Sequence, residues 1–459
     1  MLFHTWYFPL FFLVVYTGYL LLRKTRFYLH WLLAASYFFY GWWSPYYLLL
    51  ILFCTASNYL AVARMEKGGR RKVCLSIAII NSLAVLGFFK YANFLIENLN
   101  AVLGFFNLAC AVPPLPFLLP VGISFFTFQA MSYAIDYYRG DGDAEPSFIR
   151  FATFVAFFPQ LVAGPIERGR TLLPQFKSPP PIRTVNLTDG LSWFLVGLFK
   201  KIALADYLAL YVNEVYAAPE FFNGADLCLA TFAFSWQIYF DFSGYTDMAR
   251  GIARMMGYDL MLNFNSPYVA TSLSDFWNRW HISLSTWFKE YVYFPLGGNR
   301  KGTLNTYKNM FLTMLISGLW HGAAWTFVVW GALHAVGRVT TRELERSRFY
   351  ADKVPTLLKR VAVFVFVSFA WIFFRAESWG DAILIVRRLF TTDWTTPGMP
   401  VPALAMCLAV WSGQLLRESP SPARRVLDHP VFKVALASLL IMLLFFSSSA
   451  GEAFIYFQF

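Results

Sequence analysis

Charge is scarce in this chain. Only 14% of its residues are Asp, Glu, Lys or Arg, where soluble domains carry about a quarter, and that deficit excludes an ordinary water-soluble fold. The alternation of apolar and polar residues that a transmembrane barrel needs is missing as well. No internal repeat is visible, which argues against a transporter assembled from two similar halves, and there is no low-complexity tract. The five cysteines are scattered through apolar segments without paired spacing, so neither a disulfide framework nor a zinc site follows. The first apolar run lacks a basic leader and a small-residue cleavage site, and it is expected to be retained.

What the chain has is apolar length. Hydrophobic residues make up 58% of it, with runs at 6–22, 45–62, 73–89, 357–374, 401–416 and 431–447. A helix crosses a bilayer with roughly 17–25 such residues, and we expect about ten or eleven crossings. The fold class that follows is an all-α polytopic membrane protein with added re-entrant or interfacial helices, organised as one domain over 1–459. The formal charge of +12 sits in short loops such as "RKTR" (23–26) and "RMEKGGRRK" (64–72). That is the signature of cytoplasmic loops rather than of a nucleic-acid surface. Those loops put the N-terminus outside. The basic segments 340–360 and 417–425 fall inside, with 375–400 outside and a surface helix over "DAILIVRRLF". The last run then delivers "GEAFIYFQF" to the outer face. "KSPPPIR" (177–183) is a polar break inside the domain.

Between 236 and 337 the apolar pattern gives way to polar and aromatic residues. In "SLSDFWNRWHISLSTWFKEYVYFPLGGNR", Ser272 and Asp275 have the spacing of a capping box, so a helix is expected from about Asp275. Trp277, Trp280, His281, Leu284, Phe288 and Tyr291 would share one face of it, opposite Asn278, Arg279, Ser283 and Glu290. The segment 309–337 holds "SGLWHGAAW" between Lys301 and Lys308 on one side and Arg338 and Arg342 on the other. With both flanks cytoplasmic it becomes two half-length helices broken near Gly318 and Gly322, with His321 at the bottom of a pocket; a single tilted crossing is the alternative. An imidazole at that depth is a functional candidate by default, and a structural histidine bonded to a helix carbonyl is the plainer reading. Two histidines without a third ligand at metal spacing do not make a metal site. Asp241 and Tyr245, and Asp247 and Arg250, are spaced to pair on a helix. The second pair reads as an interfacial ion pair, and Asp241 as a residue lining the pocket. "FPQLVAGPIERG" (158–169) reads as a span ending at Pro165, with Glu167 and Arg168 at the interface and no chemistry.

The motifs "SLSDFWNRWHISLSTWF", "PLGGNR" and "GLWHGAAWTFVVWG" resemble those of the membrane-bound O-acyltransferase family, in the branch of the alginate O-acetylation membrane protein and the D-alanyl transfer protein of teichoic-acid modification. The resemblance implies a ring of tilted helices around a thinned centre, with a funnel open to the outside and a cytoplasmic approach for the acyl donor. It gives His321 the place of the central catalytic histidine and His281 that of the second core histidine; Asp241, Trp277, Trp280 and Trp320 are expected to support the pocket. Neutral imidazole is a suitable base for acyl transfer, typically worth about 10²–10⁴-fold. In this branch an aromatic C-terminal motif with a tyrosine is associated with carrying the acyl group, which points to Tyr456 in 452–459. A phenol of pKa about 10 makes an activated ester; an interfacial aromatic belt is the other reading of that tail. The implied enzyme moves acetyl from acetyl-CoA or an acyl carrier to an extracytoplasmic polysaccharide such as alginate. It would do so in the bacterial inner membrane, with both termini extracytoplasmic and a partner transferase outside. No tightly bound cofactor and no nucleic acid are expected. The rivals are D-alanyl or longer acyl transfer, a proton-coupled transporter using Asp241 and the histidines, and a structural subunit of a polymer synthase.

Overall fold

The computed structural model describes residues 1–108, 110–117, 119–395, 398 and 401–418. Every regular element among them is helical, as expected of a chain whose backbone groups must be satisfied without water. Among the described residues, three helices are long and apolar enough to cross a membrane by length and composition: Pro45–Glu66, Arg71–Phe105 and Thr356–Arg375. The runs at 6–22 and 401–416 appear as Tyr7–Leu22 and Val401–Glu418. The run 431–447, and with it Tyr456, lies outside the described residues. "DAILIVRRLF" lies in the helix Trp379–Thr391, whose Ser378 cap accepts from the Asp381 amide.

Packing resolves the chain into two compact units, Met1–Phe194 with Thr246–Met261, and Leu195–Tyr245 with Leu262–Phe459. In the first unit, large apolar side chains such as Leu10, Leu13, Ile77, Ile80 and Phe88 remain exposed, as residues facing lipid do. Polar side chains instead join helix to helix. Asn58 of Leu48–Glu66 donates to Ser82 Oγ (3.0 Å) of Arg71–Phe105, and Asn81 donates to Ser57 Oγ (2.9 Å). Where no water competes, such pairs act as interhelical glue. After that long helix, the Asn93 and Asn100 amides each accept from and donate to the backbones of Leu115 and Val112. The returning loop is thereby tied along the helix without regular structure of its own.

Residues 158–169 are not a span. Two short helices, Phe148–Ala156 and Phe158–Leu161, are followed by irregular chain, because Pro159, Gly164 and Pro165 interrupt any longer helix. Glu167 is buried within the protein. It is 2% exposed, and its carboxylate accepts from the Met261 amide (2.6 Å) and from Thr171 Oγ1 (3.4 Å). Burial outweighs these bonds and raises its pKa from 4.5 to about 7.

In the second unit, a π-helical turn, Lys200–Ala205, turns Lys201 inward. Its Nζ meets Asp206 at 2.7 Å and Asp241 at 3.0 Å, with each side chain 3% exposed. Asp241 is therefore held by a lysine brought from another helix. A lysine shared by two carboxylates compensates much of their desolvation; removing it would leave two buried anions.

Two predictions follow from these burials. Lys201→Met should destabilise the detergent-solubilised protein by about 3–5 kcal/mol. Adding Asp206→Asn and Asp241→Asn should recover part of the loss, as read from the folded fraction on heating. For Glu167, the folded protein holds the proton more tightly than the unfolded chain. Its contribution is thus complete at low pH and is lost as pH rises through the interval from 4.5 to about 7. The stability of wild type relative to Glu167→Gln should fall by roughly 2–3 kcal/mol from pH 5 to pH 8; a flat difference would show that the carboxyl is not proton-bound.

Candidate active site

Sequence around the two histidines dictates two breaks in the helices. Ser272 caps the first helix as expected, accepting from the Asp275 amide at 3.2 Å, while Asp275 accepts from the Thr271 amide at 3.1 Å. That helix starts at Leu273 and ends at Arg279, and a second runs Ile282–Phe288 before a π-turn over Lys289–Tyr293. The single amphipathic helix expected here is therefore broken, and it is broken at His281, whose φ is +42°. A left-handed residue cannot continue a right-handed helix. The strain is held by Asn263, whose carbonyl accepts the Ile282 amide at 2.9 Å.

The Asn263 side chain also determines the state of His281. Its Oδ1 accepts from the Ser283 amide (3.1 Å) and Ser283 Oγ (2.9 Å). An atom that receives a backbone N–H must be the amide oxygen, which settles its orientation. The same oxygen lies 3.2 Å from His281 Nδ1, so in the neutral ring Nδ1 carries the hydrogen and donates, leaving the lone pair on Nε2. His281 is fully buried and meets Phe242 edge to face at 4.7 Å.

His321 is the last residue of the helix Thr303–His321, and Trp325–Arg346 returns alongside it. The segment is a helical hairpin rather than one tilted crossing. Its arms are not half-length: 19 and 22 residues make each about 28–33 Å long. The break lies at Gly322–Ala324 rather than Gly318. Gly318 instead lets the arms approach: a Cβ there would lie 2.3 Å from the Phe327 carbonyl oxygen, and one at Gly331 would lie 2.5 Å from that of Met314. Beside the turn, His321 is 4% exposed and contacts Trp320 at 4.9 Å, Trp330 at 5.0 Å and Phe374 at 5.3 Å between ring centroids. Trp320 also meets His281 at 6.2 Å, so one indole touches both imidazoles.

Trp277 packs on Trp330 at 5.7 Å. Trp280 packs among Phe264, Phe276 and Trp371, and Trp371 in turn stacks on Trp330 at 5.8 Å. Asp241, engaged with Lys201, belongs to the ionic cluster. Beside Trp277 is a cavity of about 200 Å³ with apolar walls from Phe288, Met310 and Met314, and hydroxyls from Ser274, Ser285, Thr286, Thr313 and Ser317. Lys289, Arg338 and Arg342 line it too, and no carboxylate does among the described residues. Such a wall suits an anionic group.

Three residues of the region escaped the sequence reading. Lys201 was detectable as a lysine in an apolar run, a position that calls for a partner. Asn263 carries no local signal, since its role depends on a turn formed later in the chain. His334 shares a helix face with Trp330 and Arg338 at intervals of four. It is fully buried, and neither ring nitrogen has a hydrogen-bond partner among the described residues, a burial that costs about 1–3 kcal/mol per unsatisfied group.

The model of the membrane-bound O-acyltransferase family matches residues 143–377, which include both histidines and the cavity. A probable alginate O-acetylase AlgI from Azotobacter vinelandii is 43% identical over 349 residues, covering 74% of this chain and 68% of the relative. A peptidoglycan O-acetyltransferase from Helicobacter pylori is 36% identical over 389 residues, 78% of this chain and 73% of the relative. A teichoic acid D-alanyltransferase from Bacillus subtilis is 29% identical over 284 residues, 58% and 71% of the two chains. Extended identity to O-acetylating relatives, over a segment containing both buried imidazoles, leads to one conclusion: the chain belongs to the membrane-bound O-acyltransferase family and is an acyltransferase.

Proposed function

We propose that this enzyme transfers acetyl from a thioester donor, reached from the cytoplasmic side, to hydroxyls of an extracytoplasmic polysaccharide or cell-wall glycan in the bacterial inner membrane. The observation that carries the reading is His321 at the hairpin turn, enclosed by Trp320, Trp330 and Phe374 in the same unit as a cationic cavity. His321 takes the proton of the acceptor hydroxyl as the new C–O bond forms; the C–S bond breaks, and the departing thiolate is finally protonated. With the lone pair on Nε2, His281 is suited to accept a hydrogen bond from the hydroxyl rather than to polarise the thioester carbonyl, which would need a donor. The aromatic walls exclude the water that would otherwise hydrolyse the thioester.

The cavity with Lys289, Arg338 and Arg342 suits the phosphates of coenzyme A or of a carrier's phosphopantetheine. Acetyl is favoured over D-alanine because the relatives at 43% and 36% identity are named for O-acetylation, against 29% for the D-alanyltransferase. Tyr456 is proposed to relay the acyl group, thioester to aryl ester to sugar ester, so that the bulky carrier itself never crosses. A separate extracytoplasmic transferase would complete the delivery. Both termini would then be extracytoplasmic.

His321→Gln should lower transfer of labelled acetyl at least 10²-fold at unchanged folded yield in purified protein, and transfer at the normal rate would rule out His321 as base. After incubation with candidate thioesters, mass spectrometry should find the C-terminal peptide acylated in wild type and bare in Tyr456→Phe and His321→Gln. Full envelope acetylation by a protein lacking 454–459 would exclude the relay.

A further inference from the structure

The chemistry above makes no use of His334. We infer that His334 is a positioning residue for acyl transfer, holding Trp330 so that its indole keeps the His321 ring in working orientation; this rests on His321 being the base. Trp330 contacts both imidazoles: its centroid lies 4.7 Å from that of His334 at 60°, and 5.0 Å from that of His321 at 79°. Trp277 braces the arrangement from the neighbouring helix, 5.1 Å from His334 and 5.7 Å from Trp330.

Trp330 is fully buried, and its indole N–H has no hydrogen-bond partner among the described residues. Ring packing alone therefore fixes its orientation. His334 sits in the same dry cage with both nitrogens unpartnered. A leucine or phenylalanine would fill that cage without desolvating two nitrogens, so packing gives no reason for an imidazole. What imidazole adds is a polarised edge. In an edge-to-face contact, a ring edge bearing N–H is attracted to an indole face more strongly than a C–H edge. His334 and His321 each contact the same indole, at 4.7 Å and 5.0 Å between ring centroids.

The test compares His334→Leu, His334→Phe and His321→Gln in lipid nanodiscs with a labelled acetyl thioester. It measures kcat, donor KM, the pH midpoint of kcat and the melting temperature. His334→Leu should lose about 10-fold in kcat, as misoriented catalytic groups do, with donor KM within about twofold and melting temperature unchanged or raised. His334→Phe, which keeps a flat edge, should return to within about threefold of wild type with a shifted pH midpoint. Wild-type kcat in His334→Leu, or kcat falling only in step with melting temperature in both variants, would make His334 a packing residue. Should His334→Leu fail to fold, His334→Phe decides: an unchanged kcat and pH midpoint overturns the inference. If His321→Gln is inactive while His334→Leu is fully active, only this inference fails; an active His321→Gln removes the base assignment beneath it.

Discussion

The site depends on one close approach. Where Gly318 and Gly331 face their neighbours, the two arms of the hairpin pack backbone against backbone, with no room for a Cβ on either. That contact keeps the turn at Gly322–Ala324 tight and holds His321 at the end of its helix, with a ring that side chains of the return arm can reach. Trp330 is one of them, projecting from the return arm. A larger residue at either glycine would push the arms apart, and the indole would lose its hold on the imidazole.

Around this point the chain uses aromatic rings in place of water. The two candidate imidazoles are treated differently. His281 is fixed through a hydrogen bond to Asn263, itself anchored by a backbone amide and a serine hydroxyl. His321 is enclosed by Trp320, Trp330 and Phe374. The first arrangement defines a tautomer, and the second defines an orientation and a dry surrounding. Trp320, touching both rings, links the two.

Charge near this aromatic region falls into two groups. Lys201 lies between Asp206 and Asp241 in a buried ionic cluster, while Lys289, Arg338 and Arg342 line a cavity with no carboxylate among the described residues. A lysine held between two buried carboxylates fits structural work in a medium of low dielectric. A basic wall fits a ligand that brings its own negative charge. Asp241, which looked like a pocket residue when read alone, thus belongs with the first group.

Helical class, membrane character and the two motif histidines were legible in the sequence, because they depend on composition and local spacing. Ser272 is an example: a cap acts within one turn, and it does so here as its spacing predicts. The break at His281 was not legible, since a helical pattern runs through it and the left-handed backbone is stabilised by Asn263, 18 residues away. The Met261 amide that meets Glu167, and Asp241 that meets Lys201, were hidden for the same reason, since each comes from a segment remote in sequence. His334 looked like one more polar residue on a helix. By itself, then, the sequence determined which residues must leave water and which of them could do chemistry, both being properties of side chains and short-range periodicity. Only the tertiary structure decided which buried groups meet, because hydrogen bonds, ion pairs and ring contacts act over a few ångströms between segments that the chain order leaves far apart.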